Sequence, residues 1–203
     1  MPAGGPDIQR PERARVFFAL AVPPATVAAV ADWQRRALGG VMRPLGADGL
    51  HLTLVFLGDR DPAAIERAAS ALRTAASGTA AVRVVLAPAP IGLPPRRPRV
   101  VALEATSPAA VRLHDTLLGE LGAVGVDVAE RRRYRPHLSV ARVRGDPPRR
   151  RAEEAVAGLA PFGGPGGHTF DAVRVALYRS ELRSQGARYS LLADVELPRG
   201  SGG

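Results

Sequence analysis

Cysteine and lysine are both missing from this 203-residue chain. Without cysteine there is no disulfide framework, no thiolate metal site and no cysteine nucleophile. That absence fits a reducing compartment, and a cytoplasmic location is expected. Without lysine, all 28 basic residues are arginine, and no glycine-rich loop ahead of a helix carries the lysine of a phosphate-binding nucleotide loop. A membrane-length hydrophobic run is missing as well. The apolar stretch Val16–Val22 follows the charged segment Arg10–Arg15 like a targeting signal, but it stops at Pro23-Pro24. It reads instead as a buried strand leading into an amphipathic helix, with no membrane partner.

Hydrophobic residues form 46% of the sequence, enough for a packed body. The formal net charge is +9, carried entirely by guanidinium groups whose fixed fork of donors matches phosphate. A phosphate-bearing partner is therefore favoured, although an arginine-, alanine-, glycine- and proline-rich composition also reflects coding bias.

Residues 1–13 and 198–203 read as loose tails around one bilobal domain spanning 14–197. Strand-like stretches are expected at Val16–Val22, Leu50–Leu57, Val82–Leu86, Val100–Leu103, His137–Val143, Phe170–Tyr178 and Ala187–Leu197. Helices are expected at Thr26–Leu38, Pro62–Ala76, Ser107 to about Leu121, and Arg150–Leu159. A Pro- and Arg-rich turn covers 94–99, a glycine loop covers 163–167, and the last two strands read as a hairpin around Gln185-Gly186. The alternation implies an α+β protein of two pseudo-symmetric lobes, each an antiparallel sheet with outer helices, enclosing a cleft.

Two strings carry the chemistry: His51-Leu52-Thr53-Leu54 and His137-Leu138-Ser139-Val140, 86 positions apart. On a strand side chains alternate, so His51 and Thr53 share one face while Leu52, Leu54 and Phe56 take the other. His137 and Ser139 likewise share a face, with Leu138 and Val140 behind. One such string is ordinarily a hydrogen-bonded structural histidine; two in corresponding strands are hard to explain by packing. His114, in a helix, is expected to be solvated or capping, and His168, beside glycines and without a hydroxyl two residues on, is not expected to take part in the chemistry. No Asp or Glu cluster near the two strings completes a coordination sphere, so neither metal nor cofactor is expected.

The paired strings resemble the two-histidine (2H) phosphoesterase superfamily, and their surroundings resemble its LigT-like branch of RNA 2′,3′-cyclic phosphodiesterases, formerly called 2′-5′ RNA ligases. The resemblance runs from about Arg15 to Leu197. It is carried by Arg15-Val16-Phe17-Phe18-Ala19-Leu20, by Leu50 to Gly58, by Tyr134 to Arg142, and by Leu177-Tyr178-Arg179-Ser180 with Gly186-Ala187-Arg188-Tyr189. Ser139 stands where threonine is commoner, and the hydroxyl is retained.

This resemblance implies opening of a 2′,3′-cyclic phosphate to a 2′-phosphate, with His51 as proton donor and His137 as proton acceptor. Thr53, Ser139, Arg142 and Arg135 are the candidates to hold phosphate, and Tyr134 and Phe56 to stack on a base. RNA ends or small cyclic-phosphate nucleotides are the implied partners, acting on a monomer with no obligate protein partner. Sister activities on the same scaffold are 2′-5′ ligation, cleavage of 2′-5′ linkages, and action on an ADP-ribose-like nucleotide. A non-catalytic RNA-binding module is the alternative from another class. The arginine-rich turns at 94–99, 131–133 and 149–151 are expected to contribute to the rim of the cleft.

Overall fold

The computed structural model describes residues 12–129, 132–183 and 186–199. Residues 1–11 and 200–203, most of the two expected tails, lie outside these, as do Arg131 and the turn residue Gln185. The element order is β1 (Ala14–Ala21), α1 (Pro24–Ala37), β2 (Met42–Pro44), β3 (His51–Arg60), α2 (Pro62–Ala76), β4 (Val82–Leu93) and β5 (Val100–Thr106). It continues with α3 (Pro108–Ala123), β6 (His137–Val143), α4 (Arg149–Ala157), β7 (His168–Ala172), β8 (Arg174–Arg183) and β9 (Gly186–Glu196).

Local chemistry explains the starts of the longer helices. Asp61 accepts a hydrogen bond from the Ala64 amide at 2.8 Å and Pro62 opens the first turn of α2. Ser107 does the same for Ala110 at 3.1 Å ahead of Pro108, and its hydroxyl also donates to the Arg83 carbonyl at 2.7 Å, tying α3 to β4.

The strands form two antiparallel sheets, one ordered β3-β1-β8-β9 and the other β2-β6-β5-β4-β7. Helices α2 and α3 pack together and lie on the four-stranded sheet, α2 against β8 and β9 and α3 against β3. Helix α1, although it follows β1, is anchored to the other side: Trp33 donates to the Ala160 carbonyl at 2.9 Å, and Thr26 shares a 2.9 Å hydrogen bond with His168 Nε2. Each sheet thus draws strands from both halves of the chain. One connected apolar core runs through both, including Phe18, Leu52, Leu72, Leu103, Leu117, Leu138 and Leu177.

Three strand expectations need correction. The stretch Phe170–Tyr178 is two strands, β7 in the five-stranded sheet and β8 in the four-stranded sheet, and the chain changes sheet at Val173. A strand-like run interrupted only by Asp171 and Arg174 carries no mark for such a crossing. Strand β2 has no counterpart among the expected strands; its three residues exist only by pairing with β6, Arg43 opposite Arg142. Strand β4 extends to Leu93, past prolines, because a register shift between Leu86 and Pro90 lets it continue along β5. At the chain ends the expected tails are partly held: Glu12 pairs with Arg179, and the Pro198 carbonyl accepts from the Ala81 amide at 2.8 Å.

Candidate active site

Strands β3 and β6 lie against each other where the two sheets meet. Strand β3 is an edge strand, and β2 pairs with β6 only at residues 141–143, so both histidine segments lie at the ends of their sheets' pairing on that side.

The two strands share one pattern. From His51 to Leu57 and from His137 to Val143, half-buried and buried residues alternate for four positions, a second buried residue follows directly, then an exposed one, then a buried one. The doubled buried position is a bulge in each case. Val55 faces Phe18 while Thr53 faces Ala19, leaving Leu54 extra; Ala141 faces Val101 while Ser139 faces Ala102, leaving Val140 extra. A one-residue bulge shifts the alternation by one. Phe56 therefore emerges on the His51 face, 54% exposed, rather than behind it with Leu52 and Leu54 as strict alternation demands. Arg142 emerges beside His137 and Ser139 in the same way.

Both bulges are buttressed. At the second, the Val140 carbonyl accepts from the buried Gln34 side-chain amide at 2.7 Å and from the Leu45 amide at 3.0 Å, and Gln34 also donates to the Leu45 carbonyl at 3.0 Å. At the first, the Tyr134 hydroxyl donates to the Thr53 carbonyl at 3.0 Å.

A cleft of about 300 Å³ results, lined by His51, Thr53 and Phe56 from one strand and His137, Ser139 and Arg142 from the other. Beneath His51 lies an aromatic layer that sequence reasoning does not assign to the site. The Phe17 ring is 4.9 Å from the imidazole, 5.5 Å from Tyr178, 5.3 Å from Tyr189 and 5.9 Å from Phe56. Tyr189 meets His51 edge-on at 5.1 Å. The uniformly apolar strand around Phe17 hides which residues face the cleft, and Tyr178 and Tyr189 arrive only through the pairing of β8 with β1 and β9.

The two histidines differ electrostatically. Burial, with a smaller contribution from repulsion by His137, pushes the His51 pKa down to about 4, so its ring is neutral at neutral pH. His137 Nδ1 lies 3.0 Å from the Arg135 carbonyl oxygen. A carbonyl only accepts, so Nδ1 carries the proton and Nε2 of the neutral ring keeps a free lone pair.

Other expected site residues are placed differently. Tyr134 has its hydroxyl engaged by Thr53 and one ring face covered by His114, the centroids 4.3 Å apart and the planes within 4°; burial raises its pKa. His114 is accordingly a packed ring, not a solvated one. Arg135 touches His137 through its carbonyl, while its side chain lines neighbouring cavities rather than the cleft holding both histidines. Of the arginine-rich turns, Arg132 and Arg133 line a cavity shared with Thr53, Phe56 and His137. By contrast Arg97 and Arg99 pair with Asp146, and Arg149 and Arg150 with Glu153 and Glu154. Among the described residues no three His, Asp or Glu side chains converge as a metal site, and no helix is long and apolar enough to cross a membrane.

Two facing strands thus each offer a histidine and a hydroxyl two residues on into one cleft, in a fold of the LigT-like kind. Residues 22–182 match the model of the 2′-5′ RNA ligase superfamily, and the chain belongs to that family. Its fold is similar to that of TT0787 from Thermus thermophilus, with 24% identity and a TM-score of 0.77 over 92% of this chain and 99% of that one. E. coli LigT in apo form is similar over 93% of this chain and 99% of its own, with 22% identity and a TM-score of 0.69. LigT complexed with phosphate is similar over the same shares, at 25% identity and a TM-score of 0.67. No curated protein is close enough in sequence to match.

Proposed function

We propose that this phosphoesterase opens 2′,3′-cyclic phosphates at RNA ends to 2′-phosphates, without a metal, using His51 and His137 as a proton-transfer pair. The observation that carries the reading is the convergence of both histidines and both hydroxyls, Thr53 and Ser139, on one cleft. LigT, whose fold this chain shares, has been crystallised with phosphate and with 3′-AMP, which supports a phosphate-bearing ligand.

In this reading His137 Nε2 takes a proton from water as the water oxygen attacks phosphorus. The bond from phosphorus to the 3′ oxygen breaks, and His51 delivers a proton to that oxygen. Each positioned transfer contributes on the order of 10²–10⁴-fold. Thr53, Ser139 and Arg142 hold the non-bridging oxygens as charge builds on them, while Phe56 stacks on the terminal base. Burial leaves His51 without its proton at neutral pH. The negative phosphate raises its pKa by favouring the charged form, so the acid is armed by substrate binding.

The test is incubation, with EDTA present, of a short RNA ending in a 2′,3′-cyclic phosphate, using the native protein and the His51→Ala and His137→Ala variants. Formation of a 2′-phosphate that both substitutions abolish is expected. An untouched cyclic end, or turnover that survives either substitution, rejects the assignment.

A further inference from the structure

Among the described residues, Arg15 is the one other guanidinium that lines the histidine cleft alongside Arg142. It stands on β1 with Asp59 of β3 and Ser180 of β8 directly across. Alternation puts it on the same face as Phe17, Ala19 and Ala21, the face that carries the site. Among the described residues it has no hydrogen-bond or ion-pair partner, Asp59 included. Two other arginines on the same sheet are ion-paired, Arg174 with Asp194 and Glu196 and Arg179 with Glu12 and Glu181. A guanidinium kept unpaired at the end of a cleft is an open anion site.

The register of β1 gives the order of groups along the cleft. Ala21 faces His51, Ala19 faces Thr53, Phe17 faces Phe56, and Arg15 comes last. Four residues separate Ala19 from Arg15, roughly 13 Å of strand at about 3.3 Å per residue. Moving outward, the cleft presents imidazole and hydroxyl, then an aromatic shelf, then a cation. A nucleic acid strand read inward from its 3′ end presents phosphate, then nucleoside, then the next phosphate. The two sequences of groups match.

We infer that Arg15 binds the phosphodiester on the 5′ side of the terminal nucleotide, so that the substrate class is an oligonucleotide end rather than a free mononucleotide. This rests on the reading of the cleft as a cyclic-phosphate site. The arginine acts on affinity for the strand and not on bond breaking.

The experiment compares kcat and KM for a dinucleotide ending in a 2′,3′-cyclic phosphate, for the mononucleoside 2′,3′-cyclic phosphate, and for that mononucleoside carrying a 5′-phosphate. Native protein, Arg15→Ala and Arg15→Lys are used, with Arg73→Ala on the exposed end of α2 as a charge control. Arg15→Ala is expected to raise KM for the dinucleotide about tenfold, the scale of one charge-assisted hydrogen bond. It leaves the unphosphorylated mononucleoside unchanged, and Arg15→Lys falls between. Equal losses on all substrates, no loss on any, or a loss confined to the 5′-phosphorylated mononucleoside overturns the inference. A second arm needs no turnover: fluorescence anisotropy of a labelled short RNA ending in a 3′-phosphate, titrated with salt. Loss of one phosphate contact reduces the slope of log K against log salt by about 0.7. An unchanged slope in Arg15→Ala overturns the inference even if the native protein hydrolyses none of the substrates.

Discussion

Phe56 and Arg142 are counterparts: each stands five residues after a cleft histidine, brought round to the histidine face by the same one-residue bulge. The two halves of the site repeat in backbone and differ in the chemistry they place at this position, a ring on one wall and a cation on the other. Under the proposed function, a phosphate and its base are offered different walls.

Phe56→Ala is expected to weaken binding of a base-bearing substrate by about 1–3 kcal/mol, the worth of a stacked base. Because the ring is half exposed, unfolding stability should change by no more than about 0.5 kcal/mol. Parallel KM and denaturant-midpoint measurements check this; a stability loss larger than the binding loss would mark Phe56 as a packing residue.

The roles of the histidines separate by leaving group. With an ester whose leaving oxygen needs no proton, such as a nitrophenyl phosphodiester, His51→Ala is expected to recover most of its lost kcat. His137→Ala stays impaired, since attack by water still needs a base. Recovery by His137→Ala instead reverses the assignment.

Stability should depend on pH through His51. Its folded pKa, about 4, lies below the ordinary value of 6.5, so the unfolded chain binds the extra proton between these values. Stability is therefore full above about pH 6.5 and falls as pH drops toward 4, by on the order of 3 kcal/mol at roughly 1.4 kcal/mol per unit. His51→Asn removes that slope. An NMR titration placing the His51 midpoint at its ordinary value would contradict burial of the ring as the source of the slope.

Gln34→Ala leaves the Val140 and Leu45 carbonyls without the side-chain donor they share. A loss of about 1–3 kcal/mol in unfolding free energy is expected. Because Val140 follows Ser139, kcat/KM falls as well. Tyr134→Phe is milder, about 0.5–1.5 kcal/mol, as it removes one hydrogen bond to the Thr53 carbonyl. Thermal melts and kinetics on both variants test whether the buttresses hold the hydroxyls in place.

The histidine strings are legible in sequence because alternation holds over their first four residues, where burial follows period two. Legibility ends at Leu54 and Val140. A bulge leaves no composition mark, so strict alternation puts Phe56 on the wrong face of its strand. The α+β class and both sheets follow from alternating elements, yet the crossing at Val173 and the short β2 depend on partners distant in sequence. A solvated His114 fails for a related reason: the ring that covers it, Tyr134, is brought there by tertiary packing.

Val173 separates two strands that belong to different sheets, and its carbonyl is fixed by the Leu197 amide at 2.8 Å. A one-residue crossing leaves no slack. The chain also passes between the sheets from β1 to β2, from β2 to β3 and from β3 to β4, and one apolar core runs through both, so the two walls of the cleft are carried on a single packed body. A substitution in the core behind β3 is therefore placed to be felt at β6, and the two histidines share one foundation rather than two.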